Sequence, residues 1–260
     1  MSTWIPLPSR KATVAVVRLS GMIASGPRGL NDQSIGPAIE KAFNKGKPKA
    51  VALVINSPGG SAAQSALIAA RIRRLSEEKE IPVFAFVEDV AASGGYWLAT
   101  AADEIFVDGN SIVGSIGVIS ASFGFHELIT RYGVERRVHT AGQSKSFMDP
   151  FKPEKPEDVA RLKDLQEKIH ANFIEQVKSR RSGKLPEDRD LFTGEIWVGG
   201  SAIDVGLVDG VGHLKPVMEE RFGKKVKFSI YGAKKPWLAR FGAQLAAQIE
   251  ERALWARYGL

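Results

Sequence analysis

Cysteine is the clearest absence in this chain of 260 residues, which contains none. Disulfide bonds, thiolate zinc sites and a cysteine nucleophile are therefore excluded, and the composition fits a reducing compartment. Histidine is scarce, and none of the four histidines stands in a zinc motif of the H-E-x-x-H type. Long apolar runs are missing as well, since no segment approaches the roughly 20 consecutive apolar residues that cross a bilayer.

The N-terminal segment, Met1 to Ala12, has no apolar run long enough for the core of a signal peptide. Pro6 and Pro8 would also interrupt a helix there. We therefore expect a cytoplasmic protein that is not exported by a cleaved signal. The formal net charge is +7, but the basic residues are scattered and are not interleaved with aromatic ones. Nucleic acid is thus not an expected partner.

The first two-thirds of the chain alternate short β-branched runs with segments of helix length. This alternation predicts an α/β fold with a largely parallel sheet. Strands are predicted at 13–18, 50–55, 82–87 and 104–107, and helices at 34–44, 61–76 and 94–102.

After about residue 150 the pattern changes. A proline-rich, charged stretch at 151–158 precedes a helical repeat of apolar residues that runs to Arg181, and strands are predicted at 196–198 and 226–230. The tail from 236 to 260 has the periodicity of an amphipathic helix. We therefore predict three parts, namely an α/β core at 1–150, a helical and mixed extension at 151–231 and a C-terminal amphipathic helix at 232–260.

Two glycine-rich turns follow predicted strands and are the first candidates for chemistry. Asn56–Gly60 reads Asn-Ser-Pro-Gly-Gly, and Ala91–Tyr96 reads Ala-Ala-Ser-Gly-Gly-Tyr. Ser93 would lie at a helix N-terminus, where free amide groups favour negative charge. The amides of Gly60 and Gly94 are candidate donors of an oxyanion hole. By spacing alone, both turns could equally be tight connections without a chemical role.

A serine nucleophile needs a base, and the histidines do not supply one in a recognisable pattern. The G-x-S-x-G turn is absent around Ser93 as well. A lysine remains, because Ser–Lys dyads are a variant of the catalytic triad and desolvation lowers the pKa of a lysine amine. Composition does not select which of the 36 basic residues it would be. The histidines are His126, His139, His170 and His213.

Several motifs resemble those of the signal peptide peptidase A (protease IV) family, the S49 serine peptidases. They are INSPGG at Ile55–Gly60, AASGGYWLA at Ala91–Ala99, GSIGVI at Gly114–Ile119, and FTGEIWVGGSAIDVGLVDGVG at Phe192–Gly212. The motifs occur in the family's order, and the resemblance covers most of residues 12–220. It implies a Clp protease/crotonase-like fold, which is a spiral of βα units with a small C-terminal α+β extension.

Residue by residue, the resemblance implies that Ser93 is the nucleophile and that Lys145, in GQSKSF, is the general base. Ser115 matches a serine that orients the lysine amine, and Gly60 and Gly94 match the oxyanion-hole donors. No metal and no cofactor is implied. In this family one active site takes its serine and its lysine from neighbouring domains or subunits. A chain with one copy of each is therefore expected to act as a homo-oligomeric ring.

The implied activity is that of a serine endopeptidase acting on hydrophobic signal-peptide remnants or unfolded polypeptides. Two alternatives stay open. A crotonase-like acyl-CoA hydratase or isomerase would also use glycine-turn amides, but with carboxylates as acid and base, and Glu88 before the serine is more typical of a surface position. The other alternative is a non-catalytic assembly protein of the same fold.

The tail combines aromatic and apolar residues with arginines. The simpler interpretation is a helix that packs on another subunit. The second is a helix that lies at the inner face of a membrane as a peripheral contact.

Overall fold

The computed structural model describes residues 12–27, 29–142 and 144–232, together with Trp255 and Tyr258. Within these residues eight strands form one sheet, and seven helices accompany it. In chain order the elements are β1 (Thr13–Ser20), α1 (Asp32–Asn44), β2 (Ala50–Ser57), α2 (Ala62–Lys79), β3 (Val83–Ala92), α3 (Gly94–Ala99), β4 (Glu104–Val107), β5 (Ile112–Gly114), α4 (His126–Arg131), α5 (Pro156–Arg180), β6 (Ile196–Val198), α6 (Ser201–Asp204), β7 (Gly210–Val211), α7 (Leu214–Phe222) and β8 (Lys227–Tyr231).

The sheet is parallel with one exception. Its hydrogen-bonded order is β6-β5-β3-β2-β1-β8, and β4 joins β3 to β7 beside that path. Only the β5–β6 pair is antiparallel among the described strands. The central strand β2 is apolar and almost wholly buried, as expected when both faces of a parallel sheet are covered. The predicted α/β class with a largely parallel sheet is therefore confirmed.

Local sequence accounts for the two long helices beside the sheet. Asn31 begins α1 with a capping box, since its side chain accepts from the Ser34 amide and the Ser34 hydroxyl accepts from the Asn31 amide. Ser61 begins α2 by accepting the amide of Gln64. The Ser61 cap places the start of α2 directly after the turn at the end of β2. The glycine turn after β2 is thereby held between a strand and a capped helix.

Several elements differ from those that the sequence predicts. The strand predicted at 82–87 extends to Ala92, and the helix predicted at 94–102 ends at Ala99. Strands β5 and β7 and helices α4, α6 and α7 are not among the elements that the sequence predicts. The extension of β3 has a tertiary cause, because its last residues pair with β5 and not with β4.

The described residues divide into two compact units. The larger unit holds those within Met1–Ile116 and Ile174–Leu260, and the smaller one holds those within Gly117–Phe173. The domain boundaries predicted from composition, after 150 and after 231, stay a prediction. The predicted tail helix at 236–260 lies outside the described residues, apart from Trp255 and Tyr258. Among the helices described, none is both long and apolar enough to span a bilayer.

The smaller unit has almost no buried interior. Phe173 is its only buried residue among those described, whereas Phe123 is 79% and Tyr132 is 74% exposed. One cluster of contacts surrounds the Phe151 ring, since Phe125 lies 5.6 Å from it between centroids and the Arg136 guanidinium lies 4.7 Å above it. A unit of this kind presents an apolar surface in the single chain.

A buried ion pair between Arg181 and Asp209 joins the end of α5 to the segment after α6. Arg181 is 2% exposed and donates to the Asp209 carboxylate at 2.7 Å, and the same carboxylate accepts the Ile105 amide at 2.8 Å. Nearby, the buried Tyr96 hydroxyl of α3 donates to the Leu207 carbonyl at 2.7 Å. These bonds fasten α3 and β4 to one short segment of the chain.

The Asp209 carboxylate should stabilise the fold in a pH-dependent way. Burial by itself raises the pKa of Asp209, but hydrogen bonds from Arg181 and Lys184 hold it below its ordinary range. Because the folded pKa is lowered, the stabilisation is complete above the unfolded pKa of about 4 and is lost as the pH falls through the folded value.

We expect Asp209→Asn to lower the free energy of unfolding by about 3 kcal/mol at pH 7, because Arg181 keeps its buried charge without a counterion. Urea unfolding between pH 7 and pH 2 measures this, and the difference from the parent protein should shrink below about pH 4. Asp204→Asn is the control, since Asp204 is exposed. Equal stability of the Asp209 variant and the parent at pH 7 would contradict the assignment.

Candidate functional site

Ser93 stands in a strained turn between β3 and α3. Its backbone has φ 51° and ψ −121°, a conformation that non-glycine residues rarely adopt and that clusters at functional sites. Every other residue from Val90 to Ala102 is buried, whereas Ser93 is half-buried. Its side chain makes no capping hydrogen bond to α3. The Ser93 hydroxyl is thus partly open to solvent, while the residues on either side of it in the chain are buried.

The turn after β2 lies directly against the Ser93 turn. A Cβ atom on Gly59 would lie 2.8 Å from the Gly94 amide nitrogen and 2.9 Å from the Ser93 Cβ. A Cβ on Gly60, at φ +135°, would collide with the carbonyl oxygen of Ile23. The glycines are required because only bare backbone allows the two turns to approach this closely. The sequence pattern does not mark Gly59 or Ile23 as part of the site, although Gly59 stands in the same Gly-Gly pair as Gly60.

The two candidate oxyanion-hole amides are neighbours. A Cβ on Gly94 would lie 3.4 Å from the amide nitrogen of Gly60. Within the part of the chain that the structure describes, neither amide donates to a backbone or side-chain acceptor. Gly94 is the first residue of α3, where the N–H groups have no partner within the helix. Two unpaired donors beside Ser93 could stabilise negative charge on a bound carbonyl oxygen.

Ser115 lies next to Ser93 at the same edge of the sheet. The Ser93 amide donates to the Gly114 carbonyl at 2.8 Å, and the Ser115 amide donates to the Glu195 carbonyl at 2.7 Å. Ser115 is also buried and has a positive φ of 53°. The Trp197 ring covers Gly114, because a Cβ there would lie 2.6 Å from a ring carbon. Ser93, Ser115 and the two glycines are therefore brought together in the larger unit.

Lys145 belongs to the smaller unit. It is exposed, and its amide donates to the Gly142 carbonyl at 3.2 Å in a turn. Phe147 and Asp149 follow it, and the Asp149 carboxylate pairs with Arg136 at 3.2 Å. The structure thus places the predicted nucleophile and the predicted base in different compact units.

Two of the histidines lie beside carboxylates. His213 lies 2.8 Å from Asp108, and this hydrogen bond, together with those from Asn110, lowers the pKa of Asp108 to about 2. His126 faces Glu127 at 3.9 Å on α4. Among the described residues no group of histidines and carboxylates could hold a metal ion. Glu88 pairs with Arg18 at 2.7 Å near the surface.

The close packing of Gly94 against Ser65 of α2 predicts a specific rescue. Gly94→Ala should lower the free energy of unfolding by about 1–3 kcal/mol, because its Cβ would overlap the Ser65 hydroxyl. Ser65→Ala should recover part of that loss in the double variant, although alone it costs about 1 kcal/mol through the lost bond to Ser61. Urea unfolding of the four proteins gives the coupling energy.

Gly95→Ala is the matched control for this cycle. Its Cβ would overlap the carbonyl oxygen of Ser57, which is backbone, so that Ser65→Ala should not rescue it. If Ser65→Ala rescued both glycine variants equally, or neither, the proposed contact would be wrong.

Curated relatives cover this chain well but extend far beyond it. The Na(+)/H(+) antiporter NhaA of Brucella abortus (strain 2308) is 49% identical over 271 residues, covering 95% of this chain and 37% of that protein. Protease 4 of Haemophilus influenzae is 35% identical over 207 residues, covering 76% of this chain and 32% of that protein. The chain spans only about a third of either relative. The name of the Brucella relative assigns ion transport to that whole protein.

A solved structure supports the fold. A mutant of the 1510-N membrane-bound stomatin-specific protease, in complex with a substrate peptide, matches with a TM-score of 0.52 at 16% identity. The match covers 94% of this chain and 98% of that one. At this identity it concerns the fold alone, and it confirms the expected Clp protease/crotonase-like architecture. The sequence pattern of peptidase family S49 matches residues 76–226, which is more than half of the chain, and the chain therefore belongs to that family.

Proposed function

We propose that this chain is a serine endopeptidase that cleaves hydrophobic stretches of signal-peptide remnants or unfolded polypeptides. Ser93 is the nucleophile and Lys145 is the general base. The observation that carries the proposal is the Ser93 turn, where one accessible hydroxyl at positive φ lies beside two unpaired glycine amides. Membership of the S49 family and the likeness to proteases support the reaction class.

The first half of the reaction is acylation. The neutral amine of Lys145 takes the Ser93 hydroxyl proton while the oxygen attacks the peptide carbonyl carbon. The amides of Gly60 and Gly94 hold the oxyanion that develops. The lysine then gives its proton to the leaving amine, and the C–N bond breaks to leave an ester on Ser93.

The second half is hydrolysis of that ester. The lysine amine accepts a proton from water, and the resulting hydroxide attacks the ester carbonyl in the same oxyanion hole. The proton returns to Ser93 as the carboxylic acid product leaves. Ser115 is proposed to orient the lysine amine, which is consistent with its position directly after the carbonyl that accepts the Ser93 amide.

The exposure of Lys145 supports a site shared between copies of the chain. A lysine amine serves as a base at neutral pH when it is desolvated, and Lys145 is exposed in the single chain. The unit that carries it exposes Phe123 and Tyr132, which a neighbouring copy could cover. We therefore propose a homo-oligomeric ring in which one chain provides Ser93 and the next provides Lys145.

The two dyad residues can be tested by substitution. Ser93→Ala and Lys145→Ala should each lower kcat/KM on an unfolded hydrophobic peptide by about a thousandfold or more, because a dyad acts as a unit. Circular dichroism and urea unfolding check that both variants fold. Lys163→Ala is the control, since Lys163 is an exposed lysine of the same unit. Full activity of Lys145→Ala would show that the base is another group.

Sharing between copies can be tested by mixing. Ser93→Ala and Lys145→Ala, each inactive alone, should regain activity when their subunits exchange, because some mixed interfaces contain both intact residues. In a random two-component ring we expect about a quarter of the parent activity per site, which is a tenfold or larger gain over either variant alone. No gain despite exchange shown by mass spectrometry would mean that the dyad forms within one chain.

Labelling with a fluorophosphonate probe separates this proposal from the two alternatives. A serine peptidase should be modified at Ser93, with a rate that depends on Lys145. A hydratase or an assembly protein should show no modification of Ser93, and peptide mapping identifies the modified residue.

A further inference from the structure

Strand β3 changes partner halfway along its length. Its first part pairs with β4, and its last part, Val90–Ala92, pairs with β5. Between the two parts the register against β2 shifts, from Ile55 opposite Val87 to Ser57 opposite Ala91. Three residues of β3, 88–90, therefore face the single residue Asn56. Such bulges bend a strand and redirect the side chains that follow, and they are common next to active sites.

Asn56 closes this bulge with both ends of its side-chain amide. Its Nδ2 donates to the Asp89 carboxylate at 2.5 Å, and its Oδ1 accepts the Val90 amide at 3.2 Å. From the other side, the Ser111 hydroxyl donates to the Glu88 carbonyl at 2.5 Å. A carboxamide suits the position because it provides a donor and an acceptor on one short side chain.

The bulge determines where Ser93 is placed. Val90, whose amide Asn56 holds, begins the three-residue ladder with β5, and Ala92 ends it opposite Gly114. The next residue is Ser93, whose amide donates to the Gly114 carbonyl at 2.8 Å. A loss of the Asn56 bridge would let this short ladder shift, and the strained Ser93 turn would shift with it.

We propose that Asn56 is a positioning residue for Ser93, acting through the β3 bulge and not by contact with substrate. The inference rests on the proposed function, in which Ser93 is the nucleophile. It adds Asn56, on the neighbouring strand β2, as a residue that affects the rate by fixing the position of Ser93.

Exchanging the carboxamide of Asn56 and the carboxylate of Asp89 tests the positioning role of Asn56. Asn56→Asp keeps an acceptor for the Val90 amide but sets a carboxylate against that of Asp89, so that the bridge should open. In Asn56→Asp with Asp89→Asn, the donor and acceptor are reversed and the bridge should close again. Asp204→Asn, at an exposed position remote in sequence, controls for the loss of negative charge in the single substitutions of Asp89.

The readouts are kcat and KM on a hydrophobic peptide and the rate of fluorophosphonate labelling of Ser93. Asn56→Asp should lower kcat and the labelling rate by about tenfold to a hundredfold, since small misplacements of reacting groups have effects of that size. KM should change by less than about threefold, and the double variant should regain most of the rate. A folded Asn56→Asp with parent kcat and labelling rate would overturn the inference, and so would a KM effect alone.

Asp89→Ala covers the case in which Asn56→Asp does not fold. Asp89 is exposed, so its truncation should be tolerated, and it removes only the acceptor that anchors the Asn56 amide. We expect a smaller slowing of labelling, by about threefold to tenfold, with Asp89→Asn closer to the parent. Equal rates for Asp89→Ala and the parent would overturn the inference.

Hydrogen exchange at the Ser93 amide tests the positioning role of Asn56 independently of the proposed peptidase activity. If the parent protein is not labelled at Ser93, the proposed function fails. The exchange of the Ser93 amide, which is bonded to the Gly114 carbonyl, still reports the ladder. It should be faster in Asn56→Asp and return towards the parent rate in the double variant, and unchanged exchange would overturn the inference.

Discussion

The close approach of the backbone turns after β2 and β3 is the constraint on which the site depends. Gly59 lies against Ser93 and Gly94, and Gly60 lies against Ile23. No side chain fits between these turns, so the two strand ends hold each other at a fixed separation. The same approach leaves two amide groups without acceptors beside one accessible hydroxyl. Close packing of bare backbone thereby produces both the rigidity and the polarity that acyl transfer needs.

The surroundings of these turns show how much structure is used to keep them in place. The cap of α2 holds the turn after β2, whereas Trp197 and the Glu195 carbonyl hold the segment that contains Ser115. Farther away, Asp209 pairs with Arg181 and accepts the Ile105 amide of β4, and the Tyr96 hydroxyl of α3 donates to the nearby Leu207 carbonyl. A strained residue at Ser93 is tolerated because the elements on every side are buried and bonded.

The smaller unit follows a different design. It has one buried residue among those described and carries several exposed aromatic side chains, yet it holds the lysine proposed as the base. A base of this type requires a dry environment, which the isolated chain does not give Lys145. Assembly would supply that environment and would couple activity to the formation of the oligomer. This coupling would keep a peptidase inactive as a free subunit.

The amino-acid sequence by itself determined the βα order, the S49 resemblance and the candidate residues Ser93, Gly60 and Gly94, because apolar periodicity and glycine turns are local properties. It did not indicate β5, which has three residues and is a strand because it pairs with the end of β3 on one side and with β6 on the other. Nor did it indicate the bulge at 88–90 or the bridge from Asn56, since both arise where β3 exchanges one partner for another. Tertiary structure decided these features, because register and close approach depend on residues far apart in the chain.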